Sequence, residues 1–556
     1  MRPRRWGWEH WALVLLLLLA WALRLPPLLD NRFHPDEALY GYWGFLIGRG
    51  RDPWLAAEPV FKPPLLPYLV AGSQALFGSF GGNSEFAVRL PGLVAGLLMI
   101  PLAAALAQTL YRDRGTGVAA AVGVALSPFA ILFSATAFTD PPMVALGLAA
   151  CVAAARGRPG WAGLLAGLAC ATKQTGLAWI PLALGVSLIQ SPRSKVRGPK
   201  SQVQSSRSEV RGLGSESDWL LVVSHCSLFI VHCSLVILLV FAWDMVRVGQ
   251  GADGFWRTGV TGYGGLRLIW PQELWARLCE WIGLARYFFV SPIVSGGLLV
   301  GLPVLVWDQV RGLRSEVRGG QSEVQSQVRE PDLGCYMSGL FADLVLVSFV
   351  FVYFLLHWLW AFPVWDRYLL PLLPVLAVLL GRVCVRLAQH LQSAWGPRSL
   401  AIVQCSLVIL LVWPAFNAAC SRYPVGGDHG AYDGIDKVAA FLHGLPEGSV
   451  VYQHWLGWSY AYYLFDAPVY LAYWPTLAWL ARDVQAFGTE GQRYMTFPSW
   501  ESPARVERAL AGVGYELEPT LTTARRDGTP SFTVYHLRTR IPGDQRMNDS
   551  GVSADK

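Results

Sequence analysis

Charged residues are scarce in this sequence, where they make up 15% of 556 residues while 53% are hydrophobic. This composition excludes an ordinary soluble domain of this size and predicts a membrane protein with many spans, so the lipid bilayer is an expected partner. The net charge of +7 does not indicate nucleic acid. Lys and Arg concentrate in short loops between apolar runs, which is typical of cytoplasmic loops.

Several familiar ligand motifs are missing. The nine cysteines show neither a disulfide framework nor a zinc spacing. His225–Cys226 and His232–Cys233 look like metal ligands, but CSLVILLV occurs at both Cys233–Val240 and Cys405–Val412, so duplicated apolar sequence explains them better. No P-loop or Rossmann glycine pattern supplies a nucleotide site. We therefore expect no metal and no cofactor.

Apolar runs near 20 residues predict about eleven transmembrane helices, the first over residues 11–29. Arg2, Arg4 and Arg5 precede it, so we expect a cytoplasmic amino terminus and a first outer loop at residues 30–87. No clear cleavage site follows, which favours an uncleaved span over a signal peptide. Around Lys173 two solutions stay open: two short helices over 161–171 and 176–188, which meet at the outer surface, or one unbroken helix.

The sequence predicts a transmembrane catalytic domain at residues 1–416. Two polar segments at 191–218 and 308–338, both carrying the repeat RSEVRG, read as weakly ordered cytoplasmic insertions. Residues 417–540 predict a small extracytoplasmic α/β domain, and residues 541–556 a disordered tail. In that domain we expect strands at 449–454, 493–497, 515–522 and 531–537, and helices at 433–443 and 503–512.

The first outer loop carries the most informative charges. Asp36 and Glu37 follow the first span, and Lys62 precedes a double proline. Acids and lysines at the edge of a bilayer are costly unless they pair or line a wet site, so they are functional candidates. Short surface helices over 37–47 and 64–77 bring Asp36 and Lys62 towards one cavity. The predicted topology puts further candidates on the same face: Asp140, Lys173, Arg367 and Tyr368.

Six motifs occur in a characteristic order: DE at Asp36–Glu37, KPPLLPY from Lys62, RLPG from Arg89, TDPP from Thr139, ATKQTG from Ala171 and DRYLLPLLP from Asp366. In this order and topology the sequence resembles the superfamily of protein O-mannosyltransferases and aminoarabinose transferases, membrane glycosyltransferases of the GT-C fold. The resemblance covers residues 11–374. It implies a mainly α, polytopic helical fold in the plasma membrane.

The resemblance also implies a chemistry, the inverting transfer of a hexosyl or pentosyl group, mannose-like or other. The donor is a polyprenyl-phosphate-linked sugar, and the acceptor is a hydroxyl of a lipid, glycan or protein. Asp36 is the implied general base, with Glu37 beside it. The implied phosphate ligands are Lys62, Lys173 and Arg367. The acceptor or the loop is positioned by Asp140, His34, Tyr40 and Tyr368.

Each residue also has a structural interpretation. Asp36 can cap the helix that follows it, Lys62 can extend to lipid headgroups, and Asp140 can cap the fourth span. Two other functions stay open, a lipid or solute transporter and a noncatalytic envelope assembly protein. A transporter places its charges near the middle of the membrane, often within inverted repeats; here we expect the charges to cluster on one face.

Overall fold

The computed structural model describes residues 7–78, 84–190, 216–262, 267–319 and 333–540. It divides into two compact units. Unit 1 contains residues up to Asp30 together with Trp43–His429, and unit 2 contains Asn31–Tyr42 together with the chain from Gly430. The predictions for Arg2, Arg4 and Arg5, for 191–215 and 320–332, and for the tail at 541–556 lie outside the described residues.

The chain is mainly helical with a small carboxy-terminal sheet, as predicted. The helices up to the end of unit 1 are α1 (Trp8–Asp30), α2 (Pro35–Gly48, which begins in unit 2), α3 (Leu65–Phe77), α4 (Glu85–Tyr111), α5 (Arg114–Ala125), α6 (Pro128–Ser134), α7 (Asp140–Ala155), α8 (Pro159–Thr172), α9 (Trp179–Gln190), α10 (Glu216–Gly249), α11 (Phe255–Gly262), α12 (Leu274–Ala285), α13 (Pro292–Gly319), α14 (Leu333–Leu359), α15 (Leu372–Trp395) and α16 (Ser399–Ala419).

Among the described residues, six helices are long and apolar enough to span a membrane. The number rises to eight when two bent helix pairs are each counted as one span. One pair is α5 and α6, which meet at 58°. The bend follows from Ser127–Pro128, because a residue before proline is disfavoured in helical conformation. Shorter apolar helices include α3 and α7. The chain is thus a multi-pass membrane protein, and the number of eleven spans stays a prediction.

One expectation about the second polar segment is wrong. Residues 308–319 continue α13 as far as Gly319 instead of being weakly ordered. Arg, Glu, Gln and Leu in this stretch are good helix formers, so a helix already nucleated in the apolar part extends through them. The first polar segment also shortens, since α10 begins at Glu216.

Unit 1 also buries charges away from the predicted outer loops, so the expected clustering on one face is incomplete. Arg24 of α1 is fully buried and donates to the carbonyl of Ala125, the last residue of α5, at 3.3 Å. A guanidinium suits this helix end, where carbonyls lack partners. Tyr111 donates to Asp343 at 2.5 Å, and Arg382 lies over the Tyr111 ring at 4.6 Å. These charges contact other protein groups and join separate helices.

Unit 2 carries a five-stranded sheet in the order β2-β1-β3-β5-β4, in which β1 pairs in parallel with β2 and β3, and β5 pairs antiparallel with β3 and β4. The four predicted strands and both predicted helices are present, and β2, α18 and α19 are additional. The elements are α17 (Ile435–His443), β1 (Ser449–Gln453), α18 (Gly457–Tyr463), β2 (Val469–Tyr473), α19 (Leu477–Phe487), β3 (Arg493–Pro498), α20 (Ala504–Ala511), β4 (Tyr515–Ala524) and β5 (Pro530–Thr539).

A polar network reinforces the core of this sheet. Arg493 on β3 donates to the Tyr452 hydroxyl on β1 at 2.6 Å and lies 3.6 Å from Asp483 on α19. The Tyr452 hydroxyl in turn donates to Asp483. Burial and this hydrogen bond raise the pKa of Tyr452, so the phenol remains a donor at neutral pH.

Candidate active site

Unit 1 contains a cavity of about 620 Å³, measured to its open mouth. Its walls come from the α2–α3 loop, the α8–α9 junction, α11, the end of α14 and the turn before α15. The lining residues are Lys62, Lys173, Gln174, Thr175, Trp256, Gly259, Val260, His357, Phe362 and Tyr368. Three residues predicted from the sequence, Lys62, Lys173 and Tyr368, are therefore together at one site.

Lys173 reaches this cavity because the helix is broken at that residue. α8 ends at Thr172, Lys173 is extended at φ −155° and ψ 143°, and a 3₁₀ turn at Gln174–Ala178 leads into α9. Of the two solutions left open by the sequence, the structure has the broken helix. Gly176 permits the tight turn, since a Cβ atom there would come within 2.4 Å of the Ala169 carbonyl oxygen.

The Lys173 ammonium is buried and paired. Its Nζ donates to Oδ1 of Asp140 at 2.6 Å, and both side chains are only 2% exposed. Asp140 is the first residue of α7, where the helix dipole favours a negative charge. The second carboxylate oxygen, Oδ2, is buried and has no hydrogen-bond partner among the described residues. The Nζ atom also lies 4.4 Å from the centre of the Tyr368 ring.

Lys62 is only 4% exposed, although it lies in the α2–α3 loop. The preceding residue fixes its backbone, because the Phe61 carbonyl accepts a hydrogen bond from Gln174 Nε2 at 2.8 Å. α11 packs so closely here that a Cβ atom on Gly259 would lie 3.2 Å from the same carbonyl oxygen. The two lysines, which are 111 positions apart in sequence, are thus held at one cavity by direct contacts between their segments.

Arg247, which was not predicted from the sequence, anchors the Lys62 loop. Its guanidinium is fully buried near the end of α10 and donates to the carbonyls of Leu55 at 3.1 Å and Glu58 at 3.2 Å. Asp244 accepts from Arg247 at 2.9 Å and from the Phe255 backbone at 3.1 Å, which ties the start of α11 to the same cluster. The available signal was an Asp and an Arg three residues apart at the end of an apolar helix.

The turn before α15 contributes one aromatic wall. Tyr368 is buried, and the His357 ring lies 5.7 Å from it and is stacked on Tyr353 at 4.2 Å. Arg367 is not among the residues that line the cavity. Its guanidinium instead lies over the rings of Trp365 at 4.4 Å and Phe138 at 5.0 Å.

The remaining candidates, His34, Asp36, Glu37 and Tyr40, belong to unit 2. They lie at or near the amino-terminal end of α2. The backbone N–H of His34 donates to Glu37 Oε2 at 3.0 Å, and that of Asp36 donates to His34 Nδ1 at 3.2 Å. His34 and Glu37 thus cap this helix. Glu37 and Tyr40 are buried, whereas Asp36 is half-buried, so Asp36 is the more accessible acid.

Across the described parts of the chain, no group of three or more His, Cys, Asp or Glu side chains is placed to hold a metal ion. The cavity presents two buried ammonium groups, one of which is bound to the Asp140 carboxylate, and aromatic walls. Such a site can take an anion with an attached apolar portion, because the cations compensate its charge and the rings pack against the rest.

The chain is similar to known proteins in part of its sequence and in its fold. Residues 61–205, about a quarter of the chain, match the family described as dolichyl-phosphate-mannose-protein mannosyltransferase, and they include Lys62, Asp140 and Lys173. ArnT from Cupriavidus metallidurans has a similar fold both bound to undecaprenyl phosphate (TM-score 0.59, 13% identity) and in the apo state (0.60, 15%). Each comparison covers 95% of this chain and 98% of the other. No curated protein sequence matches the chain.

Proposed function

We propose that this chain is a membrane glycosyltransferase of the GT-C superfamily, which includes the protein O-mannosyltransferases and aminoarabinose transferases, and that it transfers a sugar from a polyprenyl phosphate to a hydroxyl acceptor. The observation that carries the proposal is the cavity with two buried lysines, Lys62 and Lys173. Two ammonium groups at one cavity create a positive potential, so the site suits an anionic ligand.

The lipid phosphate is the leaving group of the proposed reaction. The acceptor oxygen attacks the anomeric carbon from the face opposite the phosphate, and the bond between that carbon and the phosphate oxygen breaks. The bonding electrons leave with the phosphate, whose increasing charge is stabilised by Lys62 and Lys173. Configuration at the anomeric carbon is inverted. Arg367, which lies outside the cavity lining, is assigned to the phosphate only by the family resemblance.

Asp36 is the proposed general base and takes the acceptor proton as the new bond forms. A correctly placed carboxylate contributes about 10²–10⁴-fold to such a step. Glu37 has a supporting role, since its carboxylate accepts from the His34 backbone and fixes the first turn of α2. Asp140 positions the Lys173 ammonium through their direct contact at 2.6 Å.

The proposed reaction takes place on the outer face of the plasma membrane, with unit 2 on that side as well. The acceptor class is a lipid, a glycan or a protein, and the sugar is a hexose or a pentose. The long polar segments add no motif that favours one acceptor over another.

The test is to incubate the purified protein with a panel of polyprenyl-phosphate sugars and to follow the release of polyprenyl phosphate. We expect release with at least one donor, a loss of about 10²-fold or more in Asp36→Asn, and a raised donor KM in Lys62→Met. Wild-type turnover by a correctly inserted Asp36→Asn variant contradicts the assignment of the base. No lipid phosphate release with any donor and acceptor pair contradicts the function itself.

A further inference from the structure

The segment that carries Asp36 and Glu37 groups with the carboxy-terminal domain. Residues Asn31–Tyr42 form one compact unit with the chain from Gly430, almost 400 residues later in sequence. The helices that adjoin this segment in sequence, α1 and the remainder of α2, belong to the other unit. The local conformation around the proposed base therefore depends on a domain that the sequence alone predicts to be separate.

Polar contacts attach the beginning of this segment. Arg526, in the hairpin between β4 and β5, donates from Nη2 to Asn31 Oδ1 at 3.1 Å. The same guanidinium is held by Asp433, whose Oδ2 lies 3.4 Å from Nε and whose side chain is largely buried. Arg32 lies 3.9 Å from Asp436 on α17. The hairpin and α17 thus both contact the residues immediately before the proposed base.

Aromatic contacts attach the segment at both ends. Phe33 is fully buried, and its ring centre lies 4.9 Å from that of Tyr462 and 6.1 Å from that of Tyr463, both on α18. At the other end, Tyr42 meets Phe465 edge-on at 5.9 Å. Asp36 lies between these anchored positions.

The path from the anchors to Asp36 is short and internally bonded. Phe33 is three residues before Asp36, and the intervening His34 accepts from the Asp36 backbone N–H through Nδ1 at 3.2 Å. The Glu37 backbone N–H also donates to the His34 carbonyl at 2.8 Å. A displacement of Asn31 or Phe33 is therefore transmitted to the carboxylate at position 36. Misplacement of a catalytic group by about 1 Å can cost about 10²-fold in rate.

We propose that the carboxy-terminal domain acts as the positioning scaffold of the acid segment Asn31–Tyr42, with Arg526 and Phe33 as positioning residues. The kinetic part of this inference rests on the proposed function of Asp36. Its structural part, that the domain orders the segment, does not. The two parts have separate measurements, so a failure of one is distinguishable from a failure of the other.

The experiment compares Arg526→Gln with Arg525→Gln in the full-length purified protein. Arg525 is the adjacent residue in the same hairpin, and its side chain contacts Thr529, Pro530 and Ser499 instead of the acid segment. We expect Arg526→Gln to speed hydrogen exchange of residues 31–42 and to lower kcat about tenfold or more, with an unchanged donor KM. Arg525→Gln leaves the exchange of 31–42 and kcat near wild type, and Arg526→Lys restores part of both.

Phe33→Leu is the second variant and tests the aromatic anchor without changing a charge. As for Arg526→Gln, we expect faster hydrogen exchange of residues 31–42 and a lower kcat with an unchanged donor KM. Unchanged exchange of 31–42 in both Arg526→Gln and Phe33→Leu overturns the scaffold. Faster exchange with kcat within twofold of wild type overturns the positioning role. A wild-type rate in Asp36→Asn removes the proposed base, while the exchange result still reports on the scaffold by itself.

Discussion

Asp140→Asn removes the charge that compensates Lys173 while keeping a side chain of the same size. Nζ and Oδ1 are 2.6 Å apart, and both side chains are 2% exposed. At an effective dielectric constant of about 20, two unit charges at this separation attract each other by roughly 6 kcal/mol. Relaxation reduces the measured effect, and loss of one partner of a buried pair typically costs about 3–5 kcal/mol. We expect the apo variant to be destabilised by about this amount.

The same substitution has the opposite effect on donor binding under the proposed function. A lipid phosphate in the cavity supplies the negative charge that Lys173 has lost, and the Asp140 carboxylate no longer repels it. We expect polyprenyl phosphate to bind Asp140→Asn at least about tenfold more tightly than wild type, equivalent to about 1.4 kcal/mol. Because a ligand that binds only the folded state stabilises it, the lipid raises the unfolding temperature of the variant more than that of wild type.

The assay is thermal unfolding of the detergent-purified protein, followed by intrinsic tryptophan fluorescence, with and without polyprenyl phosphate. Polyprenol without the phosphate controls for effects of the lipid chain. The double variant Asp140→Asn with Lys173→Met is the matched control, since it removes both charges. We expect it to be more stable than Asp140→Asn alone and to lose the additional stabilisation by the phosphate.

Two results would refute this reasoning. An apo Asp140→Asn variant within about 1 kcal/mol of wild type shows that the pair does not compensate a buried charge. An equal rise in unfolding temperature for wild type and Asp140→Asn on adding polyprenyl phosphate shows that the lipid phosphate does not interact with Lys173.

Two further predictions concern the contacts that hold the Lys62 loop. In Gly259→Ala the new Cβ atom lies 3.2 Å from the Phe61 carbonyl oxygen, so we expect a severalfold higher donor KM. The control is Gly262→Ala on the same helix, where the new Cβ atom has nothing within 4 Å and the donor KM stays at the wild-type value. Arg247→Met leaves the carbonyls of Leu55 and Glu58 without their charged donor. We therefore expect the free energy of unfolding, measured by thermal unfolding, to fall by about 3 kcal/mol. We also expect faster proteolysis between residues 49 and 62. Arg247→Lys recovers part of the stability, and an Arg247→Met loop as protease-resistant as wild type argues against the anchor.

Long apolar runs predicted the mainly helical class. The first of them predicted α1 within a few residues, because that helix is long and continuous. The break at Lys173 could be stated only as one of two solutions. Its decisive feature is the close approach of Gly176 to the Ala169 carbonyl, which depends on packing and not on periodicity.

Short edge elements were harder to predict. β2 (Val469–Tyr473) is an edge strand with the sequence VYLAY, in which apolar residues do not alternate with polar ones. Tyr470, Leu471 and Tyr473 are exposed. Its neighbour α19 has only Leu480 and Val484 as fully buried apolar residues. Neither pattern stands out in an aromatic-rich stretch, because the periodic signal needs a consistent buried face.

The candidate site was predicted in composition but not in its contacts. Topology indicated that Lys62, Asp140 and Lys173 share one end of the helices, yet only the structure gives the pairing of Asp140 with Lys173. Arg247 was missed, because its partners are backbone carbonyls, which leave no trace in sequence. The placement of Asn31–Tyr42 in the carboxy-terminal unit was missed for a similar reason, as contacts over hundreds of residues have no local signature.

The buried cations in unit 1 differ in the groups that they contact. Arg24 and Arg247 direct their guanidinium groups at fixed backbone carbonyls, where several rigid donors are an advantage. Lys173 has a compact ammonium group at the wall of a cavity, with the Asp140 carboxylate at 2.6 Å and an aromatic ring beside it. Under the proposed function, Lys173 exchanges the Asp140 carboxylate for a phosphate in each cycle, and a lysine suits this exchange because its ammonium is a compact point charge on a flexible stem. At position 173 an arginine is therefore not a conservative replacement, although both side chains carry the same charge.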